Sequence, residues 1–315
     1  MDISMYKPTG RISNKHMLTL RDYTTEEIYE ILHAAIRLKQ KQRAGKKHEY
    51  LKGKTLAMIF SKSSTRTRVS FEQGIKQLGG SALVLQQGDI QLGRGETIRD
   101  TAQVLSRYGI HGIMIRTYRQ SDVEELAKYS SCPVINGLTD DYHPCQVLAD
   151  LLTVYEQFGR LEGLKMAYFG DGNNMAHSLL LGGAKVGMHA VCCSPEGYMP
   201  DPEIVKAAAA CGNVTVTSDI NEAIADCDVI YTDVFFSMGQ EKSPEKVKAL
   251  MPYQVNAALM AKANKNAVFM HCLPAHRGEE VTEEVIDGAQ SIVFEEAENR
   301  LHAQKAVMYL LMKNK

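Results

Sequence analysis

The chain has 315 residues, of which 44% are hydrophobic and 23% charged, enough for two domains of ordinary size with sizeable cores. Lys+Arg 36 against Asp+Glu 37 leaves a formal net charge of -1, which lacks the basic face a duplex-binding protein needs, so no nucleic-acid partner is expected. No run approaches the ~18 continuous apolar residues of a membrane span, and the opening MDISMYKPTGRISNKHMLTL holds no apolar signal core. Seven cysteines without paired spacing fit a reducing compartment. The expectation is a cytoplasmic protein with no membrane partner.

TTEEIYEILHAAIRLKQ reads as a helix opened by Thr24 and Glu27 as a capping box. From Lys54 onward short β-rich runs alternate with helical patterns. KTLAMIF (54–60) reads as a buried strand, and RVSFEQGIKQLGG then spaces Phe71, Ile75 and Leu78 as a helix that stops at Gly79-Gly80. SALVLQ is a strand, Glu96 to Tyr108 a helix, IHGIMIRT a strand, SDVEELAKY a helix opened by a Ser121/Glu124 capping box, and PVINGL a strand. A helix begins near Pro144, a favourable first-turn position for proline. After FGRLEG the alternation restarts with KMAYFG, MAHSLLLGGAKVG, HAVCCSP, DPEIVKAAAACG, NVTVTS, DINEAIADC, VIYTDV, NAALMAKA and AVFMHCL, and ENRLHAQKAVMYLLMK closes the chain as a helix. Strands separated by helices imply parallel sheets with helices on their faces. The fold class is therefore α/β with two domains, the boundary lying on the helix after Pro144.

In open parallel sheets, ligands bind beyond the carboxyl ends of the strands. After the first strand, Ser64, Thr65 and Thr67 surround Arg66 where a helix should start. Backbone N–H groups, hydroxyls and a guanidinium there can cradle a phosphate, although an ordinary N-cap followed by surface arginines fits the same string. Arg116 ends the strand IHGIMIRT, and His143 and Gln146 share the first turn of the helix after PVINGL. Gly170 and Gly172 follow the strand KMAYFG as a lone G-x-G without the third glycine, which leaves a nicotinamide-dependent oxidoreductase as the rival reading. Asp233, Ser237 and Met238 occupy the loop after VIYTDV; an aspartate and a serine suit an amino acid's ammonium and carboxylate, and equally a turn. His271, Cys272 and His276 follow AVFM with no fourth ligand in view, so no metal is expected.

STRTR, HPCQ, the D-x3-S-M-G loop and HCLP, in that order, resemble the aspartate/ornithine carbamoyltransferase family. Ser237-Met238-Gly239 and Cys272-Leu273 resemble its ornithine branch, and the similarity runs from KTLAMIF through AENRLHAQKA. HRGEEVTEEV follows HCLP without the longer loop of some members, a variation at the site rim. The resemblance implies transfer of the carbamoyl group of carbamoyl phosphate to the side-chain amine of ornithine, giving citrulline, in arginine biosynthesis; a related amine is the alternative. It implies a carbamoyl-phosphate-binding domain at 1–148, an ornithine-binding domain at 149–298 and a C-terminal helix at 299–315 returning to the first domain. Carbamoyl phosphate would meet Ser64, Thr65, Arg66, Thr67, Arg116, His143, Gln146, Cys272, Leu273 and Arg300, with Gln91 reaching in from a neighbouring subunit. Asn174, Asp233, Ser237 and Met238 would hold ornithine, and Arg116, His143 and Cys272 would be catalytic. The implied assembly is a homotrimer with shared active sites. No cofactor is expected, because the leaving group is already activated.

Overall fold

The computed structural model describes residues 3–88, 90–92, 95–236 and 242–314. The chain divides into two compact units, one made of Tyr6–Leu152 with Asn299–Lys315, the other of Thr153–Glu298 with Met1–Met5. The first unit begins with α1 (Thr25–Arg43) and continues β1 (Thr55–Phe60), α2 (Thr65–Gln77), β2 (Ser81–Gln86), α3 (Ile98–Arg107), β3 (Gly112–Arg116), α4 (Gln120–Tyr129) and β4 (Val134–Leu138). Helix α5 (Pro144–Phe158) leads into the second unit, which holds β5 (Lys165–Phe169), α6 (Asn174–Lys185), β6 (His189–Cys193), α7 (Pro202–Ala209), β7 (Val214–Thr217), α8 (Ile220–Ile224) and β8 (Val229–Thr232). Then come α9 (Pro244–Leu250), α10 (Ala257–Met260), β9 (Val268–His271) and α11 (Glu283–Ile286), and α12 (Val293–Met312) carries the chain back to the first unit.

Both sheets are parallel throughout, in the orders β2-β1-β3-β4 and β7-β6-β5-β8-β9. A parallel strand covered on both faces reads as a continuous apolar run, and GIMIR and VIYT are buried at every position. In the first unit Ala57, Ile59, Ile113, Ile115 and Val134 pack against Leu105, Val123 and Leu126 of the helices. In the second, Ala167, Phe169, Val191, Ile230 and Phe269 pack against Ile224, Val255, Val281 and Val285. Two outer edges are covered. Met17 bridges to β4 through Met17 N–H to Val134 O at 2.8 Å and Asn136 N–H to Met17 O at 2.7 Å. Gln290 and Ile292 pair with Phe269 of β9 at 2.8 and 3.0 Å. Covered edges cannot template pairing with another chain. Strand β2 differs: it is an edge strand on which Leu83 is 44% exposed.

Most helix starts follow from the residue before them. Thr24 and Glu27 form the expected capping box, Ser64 caps α2, Asn173 caps α6, and Asp201-Pro202 opens α7. The Ser121/Glu124 box does not form. Helix α4 is capped two residues earlier, at Arg119 and with no side-chain cap bond, so Ser121 already lies inside the first turn. Arg119 pairs with Asp122 at 2.8 Å instead. Helix α9 and the short α11 carry too few periodic positions to be read from sequence, and α12 begins at Val293 rather than near Glu298.

Methionines of helix α12 lie close over two glycines of the first unit. A Cβ on Gly112 would lie 2.8 Å from Met312 Sδ, and one on Gly74 would lie 2.9 Å from Met308 Cε. Just before these contacts on α12, Lys305 is fully buried, donating to Gln42 Oε1 at 2.6 Å and Gln77 Oε1 at 2.8 Å. Burial pulls its pKa down to about 8. Below that pH the folded and unfolded chains both carry the proton and the cost of burying the charge is full. Between about 8 and 10.5 the unfolded state binds more protons, so stability rises with pH. Compared with Lys305→Met, the wild type should therefore gain roughly 3 kcal/mol across that window, read as the difference in urea unfolding at a series of pH values. A difference that is flat with pH would contradict a buried charge at this position.

Candidate active site

In the first sheet the chain runs outward from β1 to β2 and then crosses back past β1 to β3. The crossovers therefore reverse between β1 and β3, and the gap beyond their carboxyl ends is a topological switch point. Ser64 sits there as the N-cap of α2, its Oγ accepting the Thr67 N–H at 3.2 Å. Thr67 is buried and its hydroxyl oxygen accepts from Arg116 Nη1 and Arg300 Nη2, both at 3.3 Å. A hydroxyl taking two guanidinium protons keeps its own O–H to donate onward. Arg300 also donates from Nη1 to Gln146 Oε1 at 2.5 Å, and Gln146 donates to the fully buried Asp150 at 2.8 Å. With its amide oxygen facing the guanidinium, Gln304 accepts from Arg300 at 3.0 Å and donates to Ser70 at 2.6 Å. His143, buried at the start of α5, has its pKa held well below the ordinary imidazole range, first by burial and then by the charges of Arg300, Arg116 and Arg66. Thus Thr67, Arg116, His143, Gln146 and Arg300 come together, with Ser64 at the helix start and the half-buried Arg66 close enough to act on His143. Thr65 is exposed in the first turn of α2, and Gln91 lies on an exposed bend whose neighbours Ile90 and Leu92 pack on the core.

The arrangement gathers guanidinium groups, a helix N-terminus and hydroxyls around a neutral imidazole. Such donors suit a dianionic phosphate next to a carbonyl.

The second sheet repeats the topology, with its switch point between β5 and β8. Asp233, buried just past β8, accepts the Cys272 S–H at 3.1 Å and the Val234 N–H at 2.8 Å on Oδ1, and the Asn173 amide at 3.3 Å on Oδ2. Asn174 is buried in the first turn of α6. Leu273, partly buried, follows Cys272 with φ +55, the left-handed region that bulky residues rarely adopt. Ser237 and Met238 lie outside the described residues. Asp233, His271 and Cys272 bring three potential metal-ligating atoms within 4.8 Å of one another, yet both nitrogens of His271 already have hydrogen-bond partners.

Three features escape a reading of the sequence. Asn173, rather than its neighbour alone, caps α6 and ties its N-terminus to Asp233; the pair Asn173-Asn174 before the run MAHSLL carries an N-cap signal without saying which of the two takes the cap. Asp171 pairs with Lys246 at 2.6 Å, and its pKa is raised by burial and by Asp233, against the pull of Lys246. No spacing rule links residues that far apart. Lys62, buried between β1 and α2, pairs with Asp140 and stands 4.2 Å over the Tyr118 ring, joining the loops after β1, β3 and β4.

The dinucleotide reading meets a physical obstacle. A fingerprint glycine makes room for a pyrophosphate, but a Cβ on Gly172 would lie 2.2 Å from Pro200 N and 2.7 Å from Tyr198 O. The chain itself fills that space, and the Gly172 N–H donates to Tyr198 O at 2.8 Å. The carboxylate of Asp171, in the same loop, would repel a phosphate.

Comparison with known proteins shows the family. Residues 15–156 match the family model "Aspartate/ornithine carbamoyltransferase, carbamoyl-P binding domain", and residues 162–311 match "Aspartate/ornithine carbamoyltransferase, Asp/Orn binding domain". The chain is 58% identical to the ornithine carbamoyltransferase of Anoxybacillus flavithermus over 310 residues, covering 96% of this chain and 98% of the relative. It is 56% identical over 307 residues to that of Thermococcus kodakarensis, covering 96% and 97%. The solved ornithine carbamoyltransferase of Pyrococcus furiosus superposes with a TM-score of 0.91 at 54% identity, covering 96% of this chain and 97% of that one. Both family models, the high identities and the close superposition show it: this chain belongs to the aspartate/ornithine carbamoyltransferase family.

Proposed function

We infer that the chain is an enzyme that transfers the carbamoyl group of carbamoyl phosphate to the side-chain amine of L-ornithine, giving L-citrulline and phosphate. The observation that carries the reading is the convergence of Arg66, Arg116, Arg300 and Thr67 around His143 at a helix N-terminus. Close relatives named ornithine carbamoyltransferase supply the acceptor.

We assign the phosphate to Ser64, Thr65, Arg66 and Thr67 with Arg300, and the carbonyl oxygen to Arg116 and His143, with Gln146 on the carbamoyl amide. Ornithine would place its ammonium and carboxylate on Asp233, Asn174, Ser237 and Met238, and its amine beside Cys272 and the Leu273 carbonyl. An amine of this kind has an ordinary pKa of roughly 10.4, and only its neutral form attacks. A dry pocket favours that form. As the amine adds to the carbamoyl carbon, charge develops on the carbonyl oxygen, where the guanidinium and imidazole donors meet it; loss of one such donor typically costs ~10²–10³ in rate. Phosphate leaves into the cradle. His143, kept neutral first by burial and then by its cationic neighbours, offers an N–H without adding another positive charge.

We propose a homotrimer in which Gln91 completes the phosphate site of the next subunit. Gln91 is exposed on its bend, in the segment that follows edge strand β2 with its exposed Leu83, and Val69 on α2 is 58% exposed. An edge strand and apolar side chains left open on one unit are what a subunit contact would cover. We place the enzyme in the cytoplasm, in arginine biosynthesis; no described helix is long and apolar enough to cross a membrane.

Purified protein should form citrulline, read colorimetrically, from ornithine and carbamoyl phosphate, and not with putrescine, lysine or N-acetylornithine replacing ornithine. Activity with another amine instead would move the acceptor assignment. Two substitutions should separate the half-sites. Arg66→Ala should remove measurable carbamoyl-phosphate binding by calorimetry, whereas Asp233→Asn should weaken ornithine and leave carbamoyl phosphate bound. Equal losses for both substrates in Asp233→Asn would make that residue structural. Co-refolding Arg66→Ala with Gln91→Ala in equal amounts should restore roughly a quarter of wild-type activity, since random assortment rebuilds about that fraction of interfaces. Mixed trimers seen by native mass spectrometry without recovered activity would place both residues in one chain's site.

A further inference from the structure

The turn after β9 is held by buried acids that the assignment above leaves without a task. Leu273 adopts φ +55, a conformation that costs a bulky residue free energy and persists only where its surroundings impose it. What imposes it is the preceding imidazole: the Leu273 N–H donates to His271 Nδ1 at 2.8 Å, closing the turn over the ring. Because Nδ1 accepts there, the ring's proton resides on Nε2, which points at Glu280 Oε1, 3.2 Å away. Both side chains are completely buried. The same Glu280 oxygen accepts the His276 N–H at 2.6 Å, so the carboxylate ties the strand end to the segment that follows it. On the other side, Glu296 accepts the His271 backbone N–H at 2.9 Å with one oxygen and the Tyr231 hydroxyl at 2.9 Å with the other.

Two buried carboxylates on one turn are expensive to desolvate, and a turn serving only to reverse the chain has no need of them. Their output is visible one residue further on, where the Cys272 thiol is set 3.1 Å from Asp233 Oδ1. We propose that His271 and Glu280 are positioning residues for the acceptor substrate. Glu280 orients the imidazole, the imidazole fixes the left-handed Leu273, and the turn thereby aims the Cys272 thiol and the Leu273 carbonyl at the attacking amine. This rests on the reading that Cys272, Leu273 and Asp233 take ornithine. Neither residue touches a substrate in this scheme.

The chemistry of the bonds separates conservative from disruptive changes. Glu280→Gln keeps an oxygen to accept from both donors; Glu280→Leu keeps neither. His271→Asn keeps an acceptor for the Leu273 N–H but loses the donor to Glu280; His271→Leu loses both. In Glu280→Leu and His271→Leu, kcat/KM for ornithine should fall roughly 100-fold, as small misplacements near reacting groups do. Calorimetric affinity for carbamoyl phosphate should stay at the wild-type value, and Glu280→Gln should recover most of the lost kcat/KM. Ornithine should slow alkylation of Cys272 by iodoacetamide, followed by peptide mass spectrometry, in the wild type and in Glu280→Gln but not in Glu280→Leu.

Unchanged kcat/KM for ornithine in the leucine variants would overturn the proposal. So would an equal loss of carbamoyl-phosphate affinity in protein that remains folded, because that is the signature of general destabilisation. If the leucine variants do not fold, His271→Asn decides: it should show a reduced kcat/KM for ornithine with carbamoyl phosphate binding intact, and wild-type kinetics there overturn the proposal. A wild-type protein that makes no citrulline would instead defeat the functional reading itself, before any variant is compared.

Discussion

Like charges crowded together constrain the first unit more than any other feature. Arg66, Arg116 and Arg300 all act on one buried imidazole, and two of the three donate to a single threonine oxygen. Such a cluster is tolerated only where neutral acceptors hold each guanidinium in place and some negative charge lies within reach. Thr67, Gln146 and Gln304 are the acceptors, and buried Asp150 stands behind Gln146. The residual positive field faces the switch point. On the function proposed above a dianionic ligand would relieve the repulsion, and the same field adds to burial in holding the His143 pKa down.

The second unit solves a different problem with the same topology. Its switch point carries acids where the first carries bases. Asp233 and Asp171 lie beyond β8 and β5, one tied to a thiol and an amide, the other to Lys246. Strand order gives both units a crevice; the loop residues decide its sign. That is why a Gly-x-Gly after β5 does not make a nucleotide site here. The glycine's missing side chain accommodates the chain at 198–200, and the residue between the glycines is an acid.

Much of this was legible in the sequence, for identifiable reasons. Fully buried parallel strands are unbroken apolar runs, so KTLAMIF and VIYTDV declare themselves. STRT and HPCQ stood out because hydroxyls, a guanidinium and an imidazole followed strands where helices must start. What the sequence did not reveal depends on long-range pairing. Lys246 meets Asp171, and Glu280 and Glu296 meet His271, through tertiary folding that no local period encodes. The absent Ser121 box is a subtler case: a helix that starts two residues early turns a capping serine into an ordinary one. The loop holding Ser237 and Met238 lies outside the described residues, so its part rests on resemblance alone.

Arg300 meets Thr67 across 233 positions of sequence and Gln146 across 154. During synthesis the strands and helices of residues 6–152 leave the ribosome long before α12 exists. The early half therefore has a sheet, a capped α2 and Arg116, but no Arg300 and no Gln304 to steady it. Arg300 and Gln304 reach Thr67, Gln146 and Ser70 only once the returning helix docks. Without α12, Thr67 loses one of its two guanidinium donors and the Gln146 amide oxygen loses the guanidinium it accepts from.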